Sequence, residues 1–167
     1  DNKVPYFIES NSFMIDKKTI QGIIEKEIEN TDLYLVETKV SSNNTISVMI
    51  DSFDGVPIST CIELSRAIEG QLDREVEDFE LQVSSAGIGQ TFQVIQQYHK
   101  NVGKEVEVLT MDGNKFIGKL LVVRENEIEV EVEELVKVEG KKKKQLITKT
   151  LTFSFEQIKS TKDIITF

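Results

Sequence analysis

Glu127-Ile128-Glu129-Val130-Glu131-Val132-Glu133 alternates carboxylate and aliphatic side chains without a break. A period of two is the mark of a strand with one face on a core and the other toward water. More strand is predicted on either side, over 105–109, 115–123, 127–138 and 145–153. The separators are Met111-Asp112-Gly113-Asn114, Glu125-Asn126, and Gly140 with its lysines. Glycine, asparagine and aspartate suit the backbone conformations of tight turns. A 3₁₀ turn is expected over 155–158 and a last strand over 163–167. Short strands at regular spacing predict a small all-β barrel of the SH3 or Sm kind. Just upstream, Phe92, Val94, Ile95 and Tyr98 predict a short helix ending near 101–103.

The first half has another rhythm. Ile20, Ile23, Ile24 and Ile28 form one helical stripe, with Asp16 as N-cap and Asn30 as stop. Strands are predicted over 33–40 and 45–50, joined by Ser41-Ser42-Asn43-Asn44. Cys61, Leu64, Ile68 and Leu72 predict a second helix capped by Ser59 or Thr60, with Glu63 completing a capping box. Phe79, Leu81 and Val83 predict a third strand. The class is therefore α+β: an N-terminal α-β-β-α-β domain over 14–88, then the barrel over 89–167. Residues 1–13 show no period and are read as an extension, native or added, outside the fold argument.

The chain of 167 residues carries a net charge of −9, divided unevenly. Residues 14–90 hold 6 basic and 15 acidic side chains, whereas 91–167 hold 13 basic and 12 acidic. The second half is therefore the better neighbour for phosphate, and the first would repel nucleic acid or attract a basic protein. No apolar run approaches the roughly 20 residues of a membrane span, and the opening residues show no signal-peptide pattern. One cysteine excludes an internal disulfide and fits a reducing cytoplasm.

Catalytic and cofactor motifs are lacking. Ala86-Gly87-Ile88-Gly89-Gln90-Thr91-Phe92 sits between strand and helix like a dinucleotide loop. Phe92, however, occupies the place of the third glycine, and antiparallel strands follow; a flexible connector is the expectation. Cys61 lies on an apolar stripe and is read as a packing residue. His99 suffices as a helix-end residue, and with one histidine and one cysteine no zinc site is expected. Glu75, Glu77, Asp78 and Glu80 cluster in a solvated stretch rather than facing each other across a cleft.

Lys141, Lys142, Lys143 and Lys144, with Lys149, lie across a turn from the glutamate row. Pairing between them would guard a sheet edge. Alternatively, the tip grips RNA phosphates, adding salt-dependent affinity without base readout. Lys104, Lys115 and Lys119 are the further candidates for an RNA-facing surface.

The stretch Val56-Pro57-Ile58-Ser59-Thr60-Cys61-Ile62-Glu63-Leu64-Ser65-Arg66-Ala67-Ile68, then Leu72-Asp73, then Phe79-Glu80-Leu81-Gln82-Val83-Ser84-Ser85-Ala86-Gly87, resembles the bacterial ribosome maturation factor RimP family. Cys61, Ser65, Arg66, Ser84, Ser85 and Gly87 carry the likeness. The family's marker run is Val-Ser-Ser-Pro-Gly-Leu-Asp-Arg-Pro-Leu. Here Ala86 replaces the first proline, and Gly89, Gln90 and Thr91 replace Asp-Arg-Pro. Losing both prolines should loosen the connector, and Gly87 would allow a backbone with positive φ. The resemblance implies a non-enzymatic, cytoplasmic, monomeric assembly factor without cofactor or metal. It would bind the immature small (30S) ribosomal subunit, touching 16S rRNA and a basic ribosomal protein near the decoding region. The alternative is an Sm-like protein–protein adapter unconnected to ribosomes, offering a sheet edge to its partner.

Overall fold

A computed structural model describes residues 15–75 and 77–165. The expected extension, residues 1–13, lies outside them. The chain divides into two compact units between Ala86 and Gly87.

In the first unit, helix α1 (Lys17–Ile28) is followed by strands β1 (Leu33–Val40) and β2 (Thr45–Ser52), helix α2 (Ile58–Glu69) and strand β3 (Glu80–Ser85). The Asp16 carboxylate accepts from the Lys18 N–H at 3.3 Å, and Asn30 beyond the helix takes φ 64°, as its cap and stop roles require. β1 and β2 are antiparallel with a bulge between Leu35 and Glu37, while β2 and β3 are parallel neighbours joined across α2. The core unites Ile20, Ile24 and Ile28 of α1, Leu64 and Ile68 of α2, and Ile46, Val48 and Ile50 of β2. Burying such aliphatic side chains contributes about 1.5–3 kcal/mol each before chain entropy is charged against it.

The entry to α2 differs from expectation. Pro57 is the N-cap, with φ −64° and no side-chain cap bond, so Ser59 and Thr60 fall inside the first turn. Proline's fixed φ favours helix entry, and its missing N–H is no loss there.

The second unit begins with helix α3 (Ile95–Lys100). Strands β4 (Glu105–Thr110), β5 (Lys115–Val123), β6 (Glu127–Val136) and β7 (Gln145–Ser154) follow, then a 3₁₀ turn (Phe155–Gln157) and β8 (Ile158–Asp163). All pairings are antiparallel, in the order β7-β6-β5-β4-β8. This is the expected α+β class with an SH3- or Sm-like second unit. Among the described residues no ladder joins β7 to β8, so the sheet is not closed by strand pairing. Val106, Val108, Leu120, Ile128 and Val130 are fully buried, and Phe92 and Phe155 set their rings edge-on to Tyr98.

The last strand among the described residues, β8, starts earlier than the predicted 163–167, of which 166 and 167 lie outside the described residues. Ile158 and Thr161 are buried and pair with Thr110 and Val108, whereas Ile165 is exposed. Core contact, rather than the apolar Ile164-Ile165 pair, decides where this strand forms.

The connector is firmer than a loop with its prolines replaced would be. From Gly89 onward it runs along the outer edge of β8. The Gly89 N–H donates to Asp163 Oδ1 at 2.7 Å, Thr91 bridges to Lys162, and the Phe92 N–H donates to the Thr161 carbonyl at 2.7 Å. The positive φ belongs to Gly89, at 87°, and not to Gly87.

Candidate functional site

The candidate lysines separate into two groups. Lys115 and Lys119 stand on the outer face of β5, and exposed Lys104 sits at its far end, where its carbonyl accepts from the Leu120 N–H. Carboxylates surround this group. Glu107 meets Lys115 at 3.9 Å and Lys162 at 3.5 Å, and Lys119 is in register with Glu105 on one side and Glu131 on the other. Lys141, Lys142, Lys143 and Lys144 occupy the exposed tip between β6 and β7, where Gly140 turns the chain at φ 83°. Among the described residues no carboxylate pairs with these four.

The expected pairing of the tip with the glutamate row takes another form. Arg124 holds Glu127, at 2.8 Å, and Glu129. Lys149 pairs at 3.0 Å with Glu134, which is outside the alternating row. Strand parity is the reason: Glu134 and Lys149 share the inner face of the hairpin, while the row faces outward opposite Thr148, Thr150 and Thr152. Glu127, Glu129 and Glu131 are half-buried there rather than fully in water.

The residues carrying the family likeness lie elsewhere. Cys61 is half-buried and packs against the first core; Ser65 and exposed Arg66 are also on α2. Ser84 and Ser85 end β3 opposite Met49 and Ile50 of β2, and Gly87 follows.

One feature of the second unit was not anticipated. A cleft of about 660 Å³ is floored by Phe116, Leu151 and Phe153 and rimmed by Met111, Asp112 and Glu156. The Asp112 carboxyl is held below its usual range, first by the Thr110 hydroxyl and then by the Asn114 N–H. Beside it, a wedge of about 270 Å³ opens where β6 leaves β5, lined by Lys115, Ile117, Glu133 and Glu134. The β5–β6 register ends at Gly118↔Val132, so the outer part of the β6–β7 hairpin continues as two strands. In the sequence this region showed only as the Met111–Asn114 turn and the strand after it; that Met111 and Ile117 are exposed came with the fold, and isolated exposed apolar residues are commonplace.

Two buried tyrosines complete the electrostatic picture. In the first unit Tyr34 donates to Asp51 Oδ2 at 3.2 Å, and burial followed by the Asp51 charge raises its hydroxyl pKa. In the second, Tyr98 donates to Thr161 Oγ1 at 2.9 Å; burial raises its pKa while that bond acts the other way. Both are structural positions. Among the described residues no three His, Cys, Asp or Glu side chains converge to hold a metal, and no helix is long and apolar enough to cross a membrane.

Fold and surface together define an α+β protein of two small units, the second an SH3- or Sm-like sheet with a lysine tip and an open cleft. A family profile described as the RimP N-terminal domain matches residues 23–89. The ribosome maturation factor RimP of Porphyromonas gingivalis strain W83 is 38% identical over 152 residues, covering 91% of this chain and 100% of the relative. That of Christiangramia forsetii is 39% identical over 115 residues, 68% of this chain and 74% of the relative. That of Flavobacterium psychrophilum is 33% identical over 119 residues, covering 71% and 77%. The chain belongs to the RimP family of ribosome maturation factors.

Proposed function

We propose that this protein is a non-catalytic maturation factor that binds the immature small (30S) ribosomal subunit in the cytoplasm as a monomer. It touches 16S rRNA and a basic ribosomal protein near the decoding region. Its first domain is residues 14–88 and its second 89–167. The observation that carries the reading is the family likeness, which at 38% identity extends across 91% of the chain and so includes both units. The charge division is compatible with it: the acidic first unit suits a basic protein, and the lysine tip suits phosphate. Of the seven lysines, the four at the tip contribute most, because Lys115 and Lys119 already neighbour carboxylates. The mechanism is differential binding. The factor favours one conformation of the immature subunit and leaves when mature contacts compete for the same surface.

The test is co-sedimentation with immature and mature small subunits over a range of salt. Immature particles should retain the protein preferentially. Replacing lysines 141–144 by glutamate should weaken retention and flatten the salt dependence, by roughly 0.7–0.9 in log–log slope per lost phosphate contact. Equal retention by both particles would overturn the maturation reading. Unchanged affinity and slope in the charge-reversed protein would remove the tip from the interface.

A further inference from the structure

Among the described residues, one edge of the second sheet is partly covered and the other has no pairing partner. The connector from Gly89 to Phe92 lies along β8, with the Phe92 N–H on the Thr161 carbonyl. β7 pairs with β6 from Gln145 to Ser154, and among the described residues nothing pairs with its other edge. The phase of the ladder identifies the unpaired groups. The Phe155 N–H donates to the Asn126 carbonyl at 3.0 Å, and the unbroken register carries that phase along the strand. N–H groups of alternate residues point to β6, leaving those of Thr148, Thr150 and Thr152 on the open edge.

This edge borders the 660 Å³ cleft. Lys149, Leu151, Thr152 and Phe153 of β7 line it together with Phe116, the turn residues Thr110, Met111, Asp112 and Asn114, and Glu156 and Gln157 of the 3₁₀ turn. A strand added to β7 would therefore direct alternate side chains onto Phe116, Leu151 and Phe153. The rim sets the charge of such a segment. Lys149 also lines the cleft but is paired with Glu134 at 3.0 Å, so Asp112 and Glu156 outweigh it and the rim is net acidic. The repelling lysine tip is remote: Lys144 is four extended residues, about 13 Å, from Thr148.

We propose that the open edge of β7 docks an extended segment of a basic protein, which adds a strand to the sheet, seats alternate apolar side chains in the cleft and sets its cationic residues against Asp112 and Glu156. This deepens the maturation-factor reading by assigning a surface to the protein partner, but it stands on the geometry of the second unit alone. It can fail while subunit binding persists, and the reverse.

The experiment uses the full ¹⁵N-labelled chain and a short acetylated peptide of alternating lysine and valine. The control is the same peptide with glutamate for lysine. The lysine–valine peptide should bind at least about tenfold more tightly than the control. Its amide shifts should map to Thr148, Thr150, Thr152, Met111 and Phe116. Thr150→Pro removes an edge N–H without touching the β6 ladder and should weaken binding about tenfold, with spectra otherwise native. Asp112→Asn with Glu156→Gln should abolish discrimination between the peptides. The shift map on the unaltered chain decides the matter should the proline variant not fold. Shifts confined to the first unit or to the tip would overturn the proposal, as would equal binding of both peptides. So would a dimer paired through β7 that the peptide does not dissociate.

Discussion

Gly118 of β5 lies so close to Glu131 of β6 that a Cβ at position 118 would collide with the Glu131 main chain and with Val130 Cγ1 at 2.9 Å. It is also the last residue of β5 to pair before β6 departs and the wedge opens. Backbone cannot yield as a flexible side chain can, so even one added methyl must push the strands apart. Gly118→Ala should lower stability by about 1–3 kcal/mol, as overpacking in tight cores does. Urea unfolding followed by circular dichroism checks this, and the loss should concentrate in the second unit.

The Lys149–Glu134 pair, at 3.0 Å, has side chains that are 49% and 46% exposed. Solvent screening and the entropy of holding two long side chains offset most of its attraction. A double-mutant cycle with Lys149→Met and Glu134→Gln should give a coupling of about 0.2–1 kcal/mol, falling further at high salt. A larger coupling would mean that the pair organises the hairpin rather than decorating it.

Tyr34 and Tyr98 bring an alkaline limit. Both hydroxyls have raised pKa values in the folded protein, chiefly because burial disfavours the phenolate. A raised folded pKa contributes stability that is complete below the unfolded value of about 10 and is lost as pH rises through the folded value. Melting temperature should therefore be flat in this respect below about pH 10 and drop above it. Tyr34→Phe and Tyr98→Phe should each flatten the drop, while costing about 0.5–3 kcal/mol at neutral pH through the lost hydrogen bonds to Asp51 and Thr161.

Gln97 is buried, and its Oε1 accepts from the N–H groups of Gln93 at 2.5 Å and Val94 at 3.1 Å. Helix α3 spans only Ile95–Lys100, too short to hold itself without its cap and its Tyr98 anchor. Gln97→Ala leaves two N–H groups unsatisfied at the start of this helix and should cost about 1–3 kcal/mol. Amide exchange should quicken first at residues 93–97 if the cap is what is lost.

Much of the architecture is legible in one dimension. The β6 alternation, the isoleucine stripe of α1 and the Gly113 and Gly140 turns each report local geometry, and there the predicted and observed elements nearly coincide. The misreadings share a cause. Ser59 and Thr60 yielded the cap of α2 to Pro57, and β8 starts earlier than expected, at Ile158, since both boundaries depend on which residues reach the core. The connector lost two prolines by comparison with the family's marker run, yet it is held by Asp163 and Thr161, more than sixty positions away.

Composition and periodicity, being properties of neighbours along the chain, determined the two-part α+β plan, the acidic and near-balanced halves, and the lysine tip. Only the folded structure decided that Lys149 turns inward to Glu134 while Lys115 shares Glu107 with Lys162. It also decided that, among the described residues, the connector bonds to the β8 edge while the β7 edge beside the apolar cleft pairs with nothing. Those outcomes depend on strand order and register, which bring together residues tens of positions apart, and no local pattern encodes which edge is left without a partner.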